Sequence, residues 1–177
     1  MRLIDVVRTK LLLSRKGIVY GKNVCVKAGV KVSIPDTGSL SIGANCLFHQ
    51  GVKLLLTMPQ PVVHFGKWVF VGMDTIIAAK KEIRIGDFTF FAPRCYVIDH
   101  DHGFLPDQLI HNQKSVLKTV EIGRDCYFGT GSVVLGGSVI SDGAIVGAGS
   151  VVRANIGPGE IWAGNPAKKV GLREKYA

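Results

Sequence analysis

The sequence predicts an all-β solenoid, a coil of short parallel strands with roughly six turns. Three observations carry that prediction. From Ile122 a large apolar residue recurs every six positions: Ile122, Phe128, Val134, Ile140, Val146 and Val152. The fourth residue after each is Cys126, Ser132, Ser138, Ala144, Ser150 and Ile156, and five of these are small. Glycine makes up 22 of 177 residues, about 12 % where roughly 7 % is usual. A period of six suits neither a helix nor an ordinary meander. It suits three short strands per turn, each followed by a tight corner, with eighteen residues per coil. Leading residues then point inward and stack about 4.8 Å apart between coils, and glycine or asparagine supplies corners that need φ > 0.

Residues 1–17 come before the repeat. Ile4, Val7 and Leu11 have helical spacing, so a short helix is expected to cap the solenoid's apolar end. Arg2, Arg8, Lys10, Arg15 and Lys16 lie among its leucines, a pattern that also suits an anionic membrane surface. The β-helix is assigned to residues 18–160. Its early part is loose from Ile18 to Val32, then regular at Ile42 and Phe48, Phe65 and Val71, and Ile85, Phe91 and Val97. After Val97 the next leading residue is Ile122, so a long loop is inserted at 99–120. The segment after Ile161 lies outside the phase, and 161–177 is expected to form a C-terminal cap.

The four cysteines fit this frame as small hydrophobes. Cys46, Cys95 and Cys126 take the inward small slot, and Cys46 and Cys126 are about three coils apart, roughly 14 Å, beyond disulfide reach. The longest apolar stretches are too short to span a bilayer, and acid and base interrupt any signal-peptide core, so a cytoplasmic location is expected, with peripheral membrane contact through the basic helix as the addition. Net charge is +9, which suits a polyanionic partner. No nucleic-acid recognition motif or basic–aromatic platform appears, so that class is set aside.

A uniform solenoid has no active site of its own, which makes the interruption the candidate. It carries Asp99-His100-Asp101-His102-Gly103, then His111, Lys114 and Lys118. Histidine serves as a general base near neutral pH, and a neighbouring carboxylate can hold its ring. His-x-His also occurs in metal sites, though spacing offers no third ligand.

With the hexads and this loop, the sequence resembles the hexapeptide-repeat acyltransferases. It looks closest to the maltose- and galactoside-type O-acetyltransferases and the capsule or lipopolysaccharide O-acetyltransferases. The resemblance rests on Ile122-Gly123-Arg124-Asp125-Cys126-Tyr127-Phe128-Gly129, on Val146-Gly147-Ala148-Gly149-Ser150-Val151-Val152, and on Ala163-Gly164-Asn165-Pro166-Ala167-Lys168-Lys169-Val170. It implies a left-handed parallel β-helix, where crossover physics alone would favour a right hand. It implies acetyl-CoA as co-substrate without a required metal, a homotrimer with active sites between solenoids, and a saccharide or sugar-nucleotide acceptor.

The resemblance also implies roles for individual residues. Counting five from Val97 gives His102 as the base, while a two-residue slip gives His100. Tyr127 stands where relatives place a Trp along the pantetheine arm, Thr130 where they place a Ser that contacts CoA, and Ala148 beside the pantetheine amides. Arg153, Lys168 and Lys169 fall near the CoA phosphates. A family Lys falls on Ala154, so one phosphate contact is lost or moved, and a family Arg falls on Gly171, with Lys169 or Arg173 as its substitute. The disaccharide enzymes' Asn-x-Asn falls on Gly72 and Asp74, leaving Asp74 as the acceptor-binding candidate. The expected function is O-acetylation of a saccharide hydroxyl, in surface-polysaccharide biosynthesis. The alternative is N-acetylation of an amino-sugar nucleotide. More remote are xenobiotic acetylation, a γ-carbonic-anhydrase-like metal solenoid and a non-enzymatic repeat.

Overall fold

The six-residue step closes into three parallel sheets around a common core. The computed structural model describes residues 2–173. The first sheet starts at Ile18–Tyr20 and runs through Ser39–Ile42, Val62–Phe65, Glu82–Ile85, Val120–Ile122 and Val139–Ile140 to Asn155–Ile156. The second runs from Cys25–Val26 through Phe90–Phe91 and Tyr127–Phe128 to Glu160–Gly164. The third runs from Lys31–Ser33 through Ile76–Ala79 and Tyr96–Ile98 to Val151–Val152. The register is unbroken along each inward column. In the second sheet Val26, Phe48, Val71, Phe91, Phe128, Val146 and Trp162 follow one another coil by coil. Phe91 and Phe128 stack at 4.6 Å, and Phe48 meets Phe65 edge-on at 5.1 Å. Each such buried ring contributes about 1.5–3 kcal/mol through removal from water.

The small slots hold hydroxyls and thiols for a reason. Thr89 Oγ1 donates to the Gly123 carbonyl at 2.9 Å and accepts from Cys126 N at 3.3 Å. Thr75 joins Ala92 O and Cys95 N in the same way. These short polar side chains satisfy corner groups that the strands leave unpaired. Burial pushes the Cys46 and Cys95 thiols up, and Cys126 up to about 11.

Glycine acts in two ways. After every leading residue of the first sheet except Ile140 it stands at the corner, and it permits close approach between coils: a Cβ on Gly43 would lie 2.4 Å from Gly66 O, and one on Gly86 2.5 Å from Gly123 C. Positive φ falls elsewhere, at Gly29, Gly51, Gly131 and Gly149, and at Asn23 and Asn45. It also falls at Trp68, Phe88 and Arg94, bulky residues the repeat does not lead one to expect there.

The first two corners keep the six-residue step, and irregularity collects at the third, between the third and first sheets. From Ile77 to Ile85 the step is eight residues, from Val97 to Ile122 it is 25, and from Val152 to Ile156 it is four. Ile156 is therefore a leading residue, paired with Ile140, and not the small-slot exception that a rigid count of six makes it. The phase then resumes, and Trp162 pairs with Val146. The coil thus extends past Ile161 to Gly164, and Ala167–Leu172 folds back antiparallel on it.

The helix forms over Leu3–Leu13, but its orientation differs from the expected cap. Asp5, Thr9 and Leu13 are buried, whereas Leu3, Ile4, Val7 and Leu11 are exposed. Asp5 is held by Lys27 at 2.7 Å and Arg8 at 2.8 Å, and Thr9 Oγ1 accepts from Val26 N. Those cations hold the Asp5 carboxyl below its usual range, the Lys27 hydrogen bond foremost.

Candidate active site

The third corner is a seam, and the loop rises from it. His100–Asp101 pairs antiparallel with Val116–Leu117, closing the inserted segment into an arch. Gln113 pins the arch from inside: its side chain accepts from Leu105 N at 2.7 Å and donates to Leu105 O and Gln108 O. Phe104, Leu105, Leu109 and Ile110 are left exposed on it.

Asp99 sits at the arch's root with no exposed surface. Its carboxylate accepts from Lys81 N at 2.7 Å and from Lys80 N at 2.9 Å. Its carbonyl accepts from Lys118 N at 2.7 Å. The fourth partner is His100, whose Nδ1 lies 2.9 Å from Asp99 Oδ1. A carboxylate that already accepts two backbone N–H bonds offers only lone pairs, so His100 Nδ1 carries the proton. That tautomer leaves Nε2 as a basic lone pair, and the side chain is 16 % exposed. His102 is exposed and makes no side-chain hydrogen bond among the described residues. Geometry thus separates the two histidines: Asp99 orients His100, whereas His102, which counting from Val97 gives, is not held.

Asp101, the next residue, bonds Arg153 Nη2 through Oδ2 at 2.6 Å. Arg153 therefore spans from the corner after Val151–Val152 back to the loop. Among the described residues no group of three or more His, Cys, Asp or Glu is arranged to hold a metal ion.

The residues expected along the donor lie on another edge. Tyr127 faces outward from the second sheet above Phe90, which stacks on Phe70 at 4.3 Å. Thr130 and Ala148 occupy the second corner on successive coils, joined through Gly149 N and Thr130 O at 2.9 Å. Asp74 sits on the same corner two coils earlier, exposed, with φ +56. Lys168 and Lys169 are on the folded-back strand. Lys169 is tied to Glu160 at 2.7 Å, and with Trp162 Nε1 and Gly157 N this pulls the Glu160 carboxyl down to about 2. Arg173 is paired with Asp125 at 2.7 Å. Lys168 is exposed and has no ion-pair partner among the described residues. The structure therefore gathers Tyr127, Thr130, Ala148 and Asp74 on one side, and His100, His102 and Arg153 on the other. The two groups lie at opposite ends of the third sheet's strands, about 15–20 Å apart at 3.3 Å per residue.

Similarity to known proteins follows the same architecture. Residues 119–154 match the family model described as bacterial transferase hexapeptide (six repeats). A putative lipopolysaccharide biosynthesis O-acetyl transferase, WbbJ of Escherichia coli K12, is 33 % identical over 144 residues, which are 76 % of this chain and 72 % of that protein. The chain belongs to the hexapeptide-repeat acyltransferase family. A probable acetyltransferase of Mycobacterium tuberculosis is 32 % identical over 92 % of this chain, and the chain spans about half that protein's length, 52 %. Two solved structures share the fold. One is the N-acyltransferase AntD from Bacillus cereus, with TM-score 0.77 and 23 % identity over 90 % of this chain and 86 % of that one. The other is a galactoside acetyltransferase in complex with coenzyme A, with TM-score 0.69 and 21 % identity over 98 % and 74 %.

Sequence reasoning passed over His49 and His64. His49 Nδ1 is buried with no hydrogen-bond partner among the described residues, its ring tilted against Phe70 at 6.1 Å. Nothing in the spacing marked it, because it falls between leading residues.

Proposed function

We propose that this protein transfers an acetyl group from acetyl-CoA to a hydroxyl of a saccharide, in surface-polysaccharide biosynthesis. The observation that carries the reading is the buried Asp99 carboxylate holding His100 in the tautomer with a basic Nε2. His100 Nε2 takes the acceptor hydroxyl's proton as that oxygen attacks the thioester carbonyl. The tetrahedral intermediate collapses, the carbon–sulfur bond breaks, and the proton passes from His100 to the departing thiolate. His102 lies at the mouth of the same arch and contacts the acceptor.

The donor lies along Tyr127, Thr130 and Ala148, with the ring of Tyr127 against the pantetheine arm. Lys168 meets the CoA phosphates, and Arg153 and Lys169 join it by exchanging their exposed carboxylate partners. Solvent screening makes such surface pairs weak and readily exchanged. Asp74 bonds an acceptor hydroxyl. The separation of the two groups supports a homotrimer, in which the loop of one chain faces the second corner of its neighbour. The exposed Phe104, Leu105, Leu109 and Ile110 on the arch support the same arrangement. The WbbJ relative, named for lipopolysaccharide O-acetyl transfer, supports the saccharide hydroxyl over an amino-sugar nucleotide.

The test is acetyl-CoA turnover by thiol release against a panel of saccharides and amino sugars. At least one saccharide lacking an amino group should drive CoA release, and His100→Ala should lower kcat by about 10²–10⁴. A loss of that size in His102→Ala, with His100→Ala nearly unchanged, would give the proton transfer to His102. Turnover with amino sugars only would replace O-transfer by N-transfer.

A further inference from the structure

The helix Leu3–Leu13 is mounted with its polar side inward. Asp5 and Thr9 face the first coil, and Asp5 is neutralised there by Lys27 and Arg8. The opposite side shows Leu3, Ile4, Val7 and Leu11, which are 80 %, 61 %, 49 % and 75 % exposed. These four fall on one stripe of the helix, since they are spaced at three and four residues. Arg8 and Arg15 flank a shallow groove over Ile4, Val7 and Leu11. Lys10 borders the other side, and Lys16 follows the helix. The helix's one acid, Asp5, is buried and paired.

Charge is distributed along the solenoid in the same sense. Residues 1–60, which form the helix and the first two coils, carry nine Lys and Arg against two Asp. That is seven of the nine net positive charges. The excess is thus concentrated at the helix end, away from the corner expected to meet CoA phosphates.

We infer that the helix end of the solenoid docks on an anionic lipid surface. The stripe Leu3, Ile4, Val7 and Leu11 enters the headgroup boundary, and Lys10, Arg15 and Lys16 reach lipid phosphates. A second copy of this chain is the poorer occupant, because apposing two such faces would bring like charges together without a carboxylate between them. An apolar stripe ringed by cations is the pattern of an interfacial helix. No helix among the described residues is long and apolar enough to cross a membrane, so the contact is peripheral. One helix of eleven residues binds weakly, and multiple copies in an oligomer would strengthen the contact through avidity. The loop root lies three coils above the first, about 14 Å at 4.8 Å per coil, with a helix about 10 Å thick beneath the first coil. Docking therefore leaves His100 clear of the surface, at the height of an acceptor that projects from it.

The test is co-sedimentation of the full chain with vesicles of phosphatidylcholine alone and of phosphatidylcholine with 30 % phosphatidylglycerol. It needs neither acetyl-CoA nor acceptor, so its outcome is independent of the acetyltransferase reading. Binding is expected to the anionic vesicles only, falling severalfold between 50 mM and 500 mM salt. Ile4→Asp/Leu11→Asp should lower it at least tenfold, and Lys10→Glu/Lys16→Glu by a similar factor, with unchanged Tm. Absence of binding above the neutral vesicles overturns the inference. So does binding that survives Ile4→Asp/Leu11→Asp. A change of oligomeric state in that variant also overturns it, and assigns the stripe to a subunit contact.

Discussion

Arg153 Nη2 lies 2.6 Å from Asp101 Oδ2, joining residues 52 positions apart across the seam. The bond fixes the residue that separates His100 from His102, so Arg153 has a task at the loop besides any at CoA. Arg153→Ala and Asp101→Ala should each lower kcat, by about 3–10-fold for an exposed charge pair of roughly 1 kcal/mol. The double variant should be little worse than either single one, which a double-mutant cycle reads directly. A rise in acetyl-CoA KM confined to Arg153→Ala would measure its separate contact with the cofactor.

Asp99→Asn tests the tautomer argument. With the amide oxygen at the Oδ2 position it still accepts from Lys81 N at 2.7 Å and from Lys80 N at 3.2 Å, so the arch should remain folded. Its NH2 group, turned toward His100, would pair with an unprotonated Nδ1 and leave the proton on Nε2. That is the wrong form for a base. The expected result is a fall in kcat of about 10²–10⁴ with acetyl-CoA KM nearly unchanged. A parallel loss of Tm would instead mark Asp99 as structural.

The coil was legible because its physics repeats. Ile122 to Val152 each meet the same inward environment, so six equivalent positions report one requirement. The third corner was not legible, because nothing in a period of six announces where it shortens or lengthens. Ile156 was misplaced by two residues for that reason. The helix at Leu3–Leu13 is visible in its spacing, but its facing is not: the apolar spacing of Ile4, Val7 and Leu11 points to that stripe as the capping side, and Asp5 bonded to Lys27 occupies the buried side instead. The orientation of His100 by Asp99 was not legible either, because Asp99 is held by Lys80 and Lys81 from the preceding coil. No local count contains that contact.

Burial should sort the four thiols. Cys46, Cys95 and Cys126 are buried, with thiols raised by desolvation, while Cys25 is partly exposed. Titration with Ellman's reagent should find at most one reactive thiol per native chain, and four in denaturant. Rapid reaction of two or more in the native protein would mean that the corners holding Cys46 and Cys126, or the one holding Cys95, open readily.

Acid should loosen the C-terminal fold-back through Glu160. Its carboxyl titrates at about 2 in the folded chain instead of 4.5, with the Lys169 hydrogen bond as the main cause. A folded value below the unfolded one means that the ionised form favours the native state. The contribution is complete above about pH 4.5 and is lost as pH falls toward 2. Tm should therefore decline across that window, and Glu160→Gln should flatten the decline while lowering Tm at pH 7. Because the pair is exposed, the effect should be modest and salt-sensitive.

Gly43 and Gly131 separate the two uses of glycine. A Cβ at Gly43 would lie 2.4 Å from Gly66 O, in the adjoining coil. At Gly131 nothing lies within 4 Å, but φ is +70. Any side chain at Gly43 must push two coils apart, so Gly43→Ala and Gly43→Asn should both cost about 1–3 kcal/mol. At Gly131 the cost is conformational alone: Gly131→Ala should lose roughly 1 kcal/mol, and Gly131→Asn less, because asparagine tolerates the left-handed region. Denaturant unfolding of the four variants reads the contrast. Equal rescue by asparagine at both positions would contradict the close-approach account, because asparagine relieves a backbone angle but fills the same space.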